Sequence, residues 1–245
     1  MSFWKHVNKV IQKADILLLV LDARLIEETR NQELESKIYS SNKPIIRVLN
    51  KCDLISKEKA QRLKKQIISS VFVSSTEFLG TTKLKEKIMI TASQNDIKKP
   101  IKVGVVGYPN VGKSSLINAL KGKSSAGVSA SSGYTKGAQD IRINKNIVLI
   151  DTPGVIPYKE KNLYKHGITS TVDYSKVKDP DMIIYELMEK KPDLFEPLDV
   201  SDPQKALEEI AVKYNFLQKG AKPDIQRASR KILKELQKGN VAIGE

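Results

Sequence analysis

The chain has 245 residues, with 42 Lys+Arg against 28 Asp+Glu and a formal charge of +14, enough length for one large domain or two small ones whose core needs no disulfide or metal. An apolar fraction of 40% beside 29% charged residues excludes a disordered chain, and no apolar run approaches the ~20 residues of a membrane span. The charge points to a polyanionic partner such as nucleic acid, or to a Lys-rich solvated surface.

In chain order, residues 16–21 (ILLLVL) predict a first strand, and residues 31–41, with Leu34 and Ile38 four apart, a helix. Residues 45–49 (IIRVL) predict a second strand. Ser56 stands as cap to a helix over 57–69, and 71–73 (VFV) is a short strand. A helix over 83–91 leads to the strand 101–106 (IKVGVV) and a further helix over 114–120. Residues 140–150 predict a hairpin turning at Asn144-Lys145-Asn146, which adds one antiparallel edge strand. After about Pro157 the strands stop. A helix over 178–190 is entered at Asp179-Pro180, Pro192, Pro197 and Pro203 punctuate an acidic linker, and helices follow around 204–214 and 223–237. Continuous apolar strands alternating with helices mean an α/β fold with a mainly parallel sheet buried on both faces. A small α-helical C-terminal domain is expected over 192–245, after a first domain over 1–191. The N-terminus lacks a secretory pattern, and the one cysteine, Cys52, allows no internal disulfide, so a reducing cytoplasm is the expected compartment.

The residues at 107–114, G-Y-P-N-V-G-K-S, fit the phosphate-binding loop G-x-x-x-x-G-K-[ST], entered by a strand and left by a helix as that loop requires. Glycines allow the tight turn, backbone N–H groups face phosphate oxygens, and the helix N-terminus adds its partial positive charge. Asn110, Val111, Gly112, Lys113, Ser114 and Ser115 are thus expected at the nucleotide, with Lys113 on the β- and γ-phosphates and the Ser114 hydroxyl on Mg²⁺. Asp151-Thr152-Pro153-Gly154 follows the strand Ile147–Ile150. Asp151 is placed to hold Mg²⁺, and the Gly154 N–H can approach the γ-phosphate with no Cβ in the way. Thr135, in a Ser/Gly-rich loop expected to be mobile, can close over the γ-phosphate and complete the Mg²⁺ shell, or can be an ordinary turn threonine.

Asn50-Lys51-Cys52-Asp53 directly follows the second strand. The Asp53 carboxylate can accept two hydrogen bonds from guanine N1 and N2, which adenine cannot offer. Asn50 would brace the loop, the Lys51 stem would lie along the base, and Cys52 fills the variable position of this base-binding loop. Ser74-Ser75, after the next strand, can present a backbone N–H to guanine O6. Together these elements select GTP over ATP.

Ras-like GTPases carry the same elements in the order P-loop, switch I threonine, D-x-x-G, N-K-x-D, S-A-x. Here N-K-C-D and Ser74-Ser75 precede the P-loop. The sequence therefore resembles the circularly permuted GTPases of the YlqF/YawG (RbgA-like) type, over about residues 1–190. Asp22-Ala23-Arg24 and Thr29-Arg30-Asn31 look like that family too. The resemblance implies a P-loop NTPase fold, a permuted Ras-like domain, GTP/GDP with Mg²⁺, and K⁺ held partly by Asn110. It also implies a C-terminal domain that binds ribosomal RNA, a large-subunit precursor as partner, and action in ribosome assembly as a monomer with no membrane contact.

The catalytic contributions expected within the chain are those of Lys113, Thr135 and Gly154. Val155 stands where a Ras-type enzyme has a water-positioning glutamine, so intrinsic hydrolysis should be slow and stimulated by the ribosome or by potassium. His6 is a catalytic candidate or a surface histidine. Residues 192–245 carry no net charge, so the whole +14 falls on 1–191, yet Lys222, Arg227, Arg230, Lys231 and Lys234 cluster near the end and suit phosphate-backbone contacts or a solvated helix face. Two other functions stay open: a GTP-sensing RNA-binding module with negligible hydrolysis, and a GTPase of tRNA modification.

Overall fold

The most apolar run of the sequence becomes the centre of a sheet. In the computed structural model, which describes residues 3–122, 140–156, 162–196 and 198–238, β1 (Ile16–Asp22) is buried at every position. Its side chains alternate between two cores, as a strand's period of two demands. Ile16, Leu18 and Val20 join one core with Leu84 and Ile88 of α5 (Thr81–Gln94) and Leu116 and Leu120 of α6 (Lys113–Lys121). Leu17, Leu19 and Leu21 join the other with Val7 and Ile11 of α1 (Phe3–Lys13) and Leu34 and Ile38 of α3 (Gln32–Tyr39). Each such aliphatic side chain taken out of water contributes about 1.5–3 kcal/mol.

Among the described residues six strands form one sheet, in the order β3-β2-β1-β4-β6-β5. β2 (Ile45–Asn50), β3 (Ser70–Val73), β4 (Ile101–Gly107) and β6 (Ile147–Ile150) run parallel to β1, and β5 (Asp140–Arg142) pairs antiparallel with β6 at the edge. The α/β reading and the hairpin edge strand are therefore as expected. Parallel register carries every functional loop to one end of the sheet: Asp22 lies opposite Asn50, and Val20 opposite Gly107. Helix starts follow their caps: Asn31 accepts from the Leu34 amide and Ser56 from the Lys59 amide, the latter opening α4 (Lys57–Gln66). Three helices were not expected: α1, the single turn α2 (Ile26–Thr29) and the short α7 (Leu163–Ile168).

The chain divides into compact units at Met1–Glu160 and Lys161–Glu245, earlier than the boundary expected at 191. The reason is packing within the second unit. Its helices α7 (Leu163–Ile168) and α8 (Pro180–Lys190), on the near side of the expected boundary, pack against α10 (Ile225–Lys238), and α8 and α10 also pack against α9 (Pro203–Lys213). Ile184, Leu187, Phe195, Leu207, Ile232, Leu233 and Leu236 of this unit are all buried. Gln237 ties the helices further, donating to the Gly167 carbonyl at 2.7 Å and to that of Val172 at 3.0 Å.

Candidate nucleotide site

The loop between β4 and α6 holds the one buried lysine among the described residues. Lys113 is 7% exposed, and its ammonium donates to the Tyr108 carbonyl at 2.8 Å and the Gly107 carbonyl at 3.3 Å. Burial pushes its pKa down to about 8, against the opposing pull of the Asp151 carboxylate. Such a desolvated cation, hydrogen-bonded to two carbonyls, is poised to be stabilised by an incoming phosphate anion. Asn110 takes the left-handed conformation (φ 60°) that wraps the loop round it. Ser114 and Ser115 stand exposed in the first turn of α6, where backbone N–H groups have no helical partner.

Gly154 closes against this loop. A Cβ there would lie 2.6 Å from Pro109 Cα and 2.9 Å from Lys113 Nζ, so only glycine lets the D-T-P-G backbone reach the phosphate end. Asp151, buried at the end of β6, acts electrostatically on Lys113. The Thr152 hydroxyl anchors the segment, donating to the Val105 carbonyl at 2.7 Å.

The N-K-C-D loop is joined to the P-loop by Asn50, at the end of β2. Its amide nitrogen donates to the Val111 carbonyl at 2.9 Å, and its oxygen accepts from the Ser75 hydroxyl at 2.8 Å. One carboxamide thus ties N-K-C-D, Ser75 and the P-loop together. Gly112 must be glycine for this, since a Cβ would come within 2.3 Å of the Asn50 nitrogen. Lys51 is left-handed (φ 61°), which turns the chain into a short 3₁₀ turn, Cys52–Leu54, with Asp53 exposed on it. Burial pushes the Cys52 thiol up, which suits an inert filler and no nucleophile. The Ser74 amide is used inside the fold, donating to the Leu79 carbonyl at 3.1 Å.

A charged cluster at the end of β1, given no role from the sequence, holds Lys51. The Asp22 carboxylate pairs with the Lys51 ammonium at 2.8 Å and with the Arg24 guanidinium at 2.8 Å. Burial alone would raise the Asp22 pKa, but Lys51 and Arg24 outweigh it and hold it at about 2. Asp22→Asn is expected to destabilise the fold by about 3 kcal/mol at pH 7, because both Arg24 and Lys51 lose the buried carboxylate they share. The folded-state pKa lies below the unfolded 3.8, so the carboxylate's contribution is complete above about pH 4 and is lost as the pH falls through 2. The gap in unfolding free energy between parent and variant should hold steady at neutral pH and narrow by about 2 kcal/mol in acid; a gap independent of pH would contradict the assignment.

The expected Mg²⁺ ligands Ser114 and Asp151 are hard oxygen donors, which suit that ion, with nucleotide phosphates to complete its shell. No group of three or more His, Cys, Asp or Glu side chains able to hold a metal occurs among the described residues. Thr135, the third expected ligand, lies outside the described residues, as does the whole Ser/Gly-rich loop around it.

Residues 6–159 match the family model described as RsgA GTPase, and residues 102–219 the one described as 50S ribosome-binding GTPase. The chain belongs to the circularly permuted GTPases of the YlqF/YawG type. GNP-bound YlqF from T. maritima has the same fold, with a TM-score of 0.67 at 22% identity over 98% of this chain and 95% of that one. An uncharacterized GTP-binding protein of Methanocaldococcus jannaschii is 40% identical over 97% of this chain and 65% of its own length. Nucleolar GTP-binding protein 2 of Saccharomyces cerevisiae is 32% identical over 97% of this chain and 52% of its own. The chain thus spans between half and two thirds of the length of these curated relatives.

In this permuted GTPase the basic residues near the end are engaged within their own unit. Arg227 lies over the Phe216 ring at 4.4 Å, Lys231 over Tyr214 at 5.3 Å and Lys234 over Tyr174 at 5.9 Å. Lys231 also pairs with Glu235 at 2.9 Å. Arg230 approaches the Val177 carbonyl at 3.5 Å, and Lys222 is exposed in the loop before α10. His6 lies on α1, with a buried Nδ1 that has no hydrogen-bond partner among the described residues.

Proposed function

We propose that the chain binds GTP and Mg²⁺ and hydrolyses GTP as a switch in assembly of the large ribosomal subunit, with the helical unit contacting ribosomal RNA. The observation that carries the nucleotide part is Asn50, whose one side chain braces the base loop against the P-loop. Asp53 reads guanine, assisted by a backbone N–H of the Ser74-Ser75 turn, while Lys51 and Cys52 line the base loop. Asn110, Val111, Gly112, Lys113, Ser114, Ser115 and Gly154 surround the phosphates. Mg²⁺, held by Ser114, Asp151 and Thr135, would neutralise charge building between the β- and γ-phosphates. Val155, apolar and 2% exposed, does not position the attacking water. Hydrolysis is therefore slow until the ribosome, or K⁺ beside Asn110, supplies what glutamine supplies elsewhere.

The RNA part is supported by the match to the model described as 50S ribosome-binding GTPase and by the surface of the helical unit. Tyr214 and Phe216 stack at 5.7 Å, with Arg227 and Lys231 over their rings, and Tyr214 remains 36% exposed. Rings beside Lys222, Arg227, Arg230, Lys231 and Lys234 suit unpaired bases and phosphates. No helix among the described residues is long and apolar enough to cross a membrane, and the reading is of a cytoplasmic monomer.

Co-sedimentation with ribosomal subunits tests the switch. Large-subunit particles should retain the chain with a non-hydrolysable GTP analogue and release it with GDP, by about tenfold or more in affinity. Equal, salt-insensitive retention would sink the switch. Val155 favours one second reading, a GTP-sensing RNA-binding module with negligible turnover. Turnover measured with and without K⁺ and ribosomal subunits separates the two.

A further inference from the structure

Asn31 joins two segments far apart in the sequence. It is 2% exposed, and its side-chain nitrogen donates to the Val155 carbonyl at 3.1 Å. Its side-chain oxygen accepts from the Leu34 amide at 2.9 Å, capping α3. Both ends of the carboxamide are thus committed, and a flipped amide would lose both bonds. Val155 directly follows D-T-P-G, the segment that answers to the γ-phosphate. Its own amide donates to the Gly107 carbonyl at 3.4 Å. Val155 is therefore held at both its amide and its carbonyl, by the end of β4 and by Asn31. Gly154 in turn has room only in the notch between Pro109 and Lys113.

The segment that carries Asn31 is itself anchored at the base loop. The Asp22 amide donates to the Thr29 hydroxyl oxygen at 3.2 Å, that hydroxyl donates to the Leu25 carbonyl at 2.7 Å, and the Asp22 carboxylate holds Lys51. Residues 22–31 thus touch N-K-C-D at one end and the Gly154 segment at the other.

We propose that Asn31 is a positioning residue that holds Val155 so that the Gly154 N–H faces the γ-phosphate, and that preference for GTP over GDP depends on it. The inference rests on the nucleotide-site reading above. GDP has no γ-phosphate and gains nothing from a fixed Gly154, so losing the tether acts on GTP selectively. Asn31→Asp separates tethering from capping: the carboxylate keeps the acceptor for the Leu34 amide, has no donor for Val155 and repels its carbonyl. Asn31→Ser, which also keeps a cap oxygen, guards against an effect of the added charge.

Binding of GDP and of a non-hydrolysable GTP analogue is measured for parent and both variants, with hydrogen exchange at the Val155 and Ile156 amides. In both variants the analogue should bind about tenfold more weakly, GDP within about twofold of the parent, and the two amides should exchange faster. Equal weakening of both nucleotides would make Asn31 a fold residue only, and no change would make it idle; either overturns the proposal. A parent that binds neither nucleotide would refute the nucleotide-site reading and the GTP preference with it. The exchange arm then reports on the tether by itself.

Discussion

Replacing Lys113 by alanine is expected to abolish nucleotide binding while leaving the fold at least as stable as the parent. A lysine that is merely part of the core would lose stability on truncation. Here the ammonium is surrounded by the Tyr108 and Gly107 carbonyls, and desolvation, the largest influence on it, brings its pKa to about 8. A folded-state pKa below the ordinary 10.5 means that the charged form opposes folding, by about 3 kcal/mol below pH 8 and progressively less above it. Alanine removes that opposition together with two hydrogen bonds, so the melting temperature should hold or rise. Affinity for GDP should fall by at least about a hundredfold, since charge-assisted bonds to phosphate are lost from a water-poor loop. A folded variant that still binds GDP as the parent does would remove the phosphate site from this loop.

Asp53→Asn should turn the base preference from guanine to xanthine. The carboxylate sits exposed on the 3₁₀ turn after Lys51, with Asn50 bound to the P-loop and Lys51 to Asp22. The loop's position is thus secured without Asp53, and stability should be indifferent to the change. GTP affinity should fall about a hundredfold or more, because a carboxamide offers one donor and one acceptor where guanine N1 and N2 present two donors. Xanthine carries an acceptor at C2 and matches the amide. Competition binding with GTP and XTP reads the reversal; an unaltered preference for GTP would place base recognition elsewhere.

Much of this site was legible in the sequence because its parts are local. G-Y-P-N-V-G-K-S and D-T-P-G each occupy one turn at the end of an apolar strand, and the apolar runs themselves marked β1, β2, β4 and β6. What escaped were pairs made by the fold. Asp22 and Lys51 meet only because β1 and β2 end in register, and Asn31 meets Val155 only after the sheet has closed between them. The triplet Thr29-Arg30-Asn31 drew notice as a likeness to the family, with no chemistry to explain it. The helix α1 was missed although Val7, Val10 and Ile11 recur at helical spacing, a signal diluted by the charged residues around them. On α10 the period foretold a basic face, but the rings of Tyr174, Tyr214 and Phe216 that lie beneath it come from other segments.

The place of β4 in the sheet bears on how the protein is made. β1, β2 and β3 are neighbours in sequence and in space, so they can form a parallel three-stranded half as soon as they leave the ribosome that synthesises them. That half already carries the N-K-C-D loop, with β1 still open along one edge. β4 then has to dock on that edge before the Asn50 carboxamide finds Val111, and β6 can pair only afterwards. The nascent chain is thus blind to nucleotide until its second half arrives, and GTP or GDP can speed only the late steps of folding.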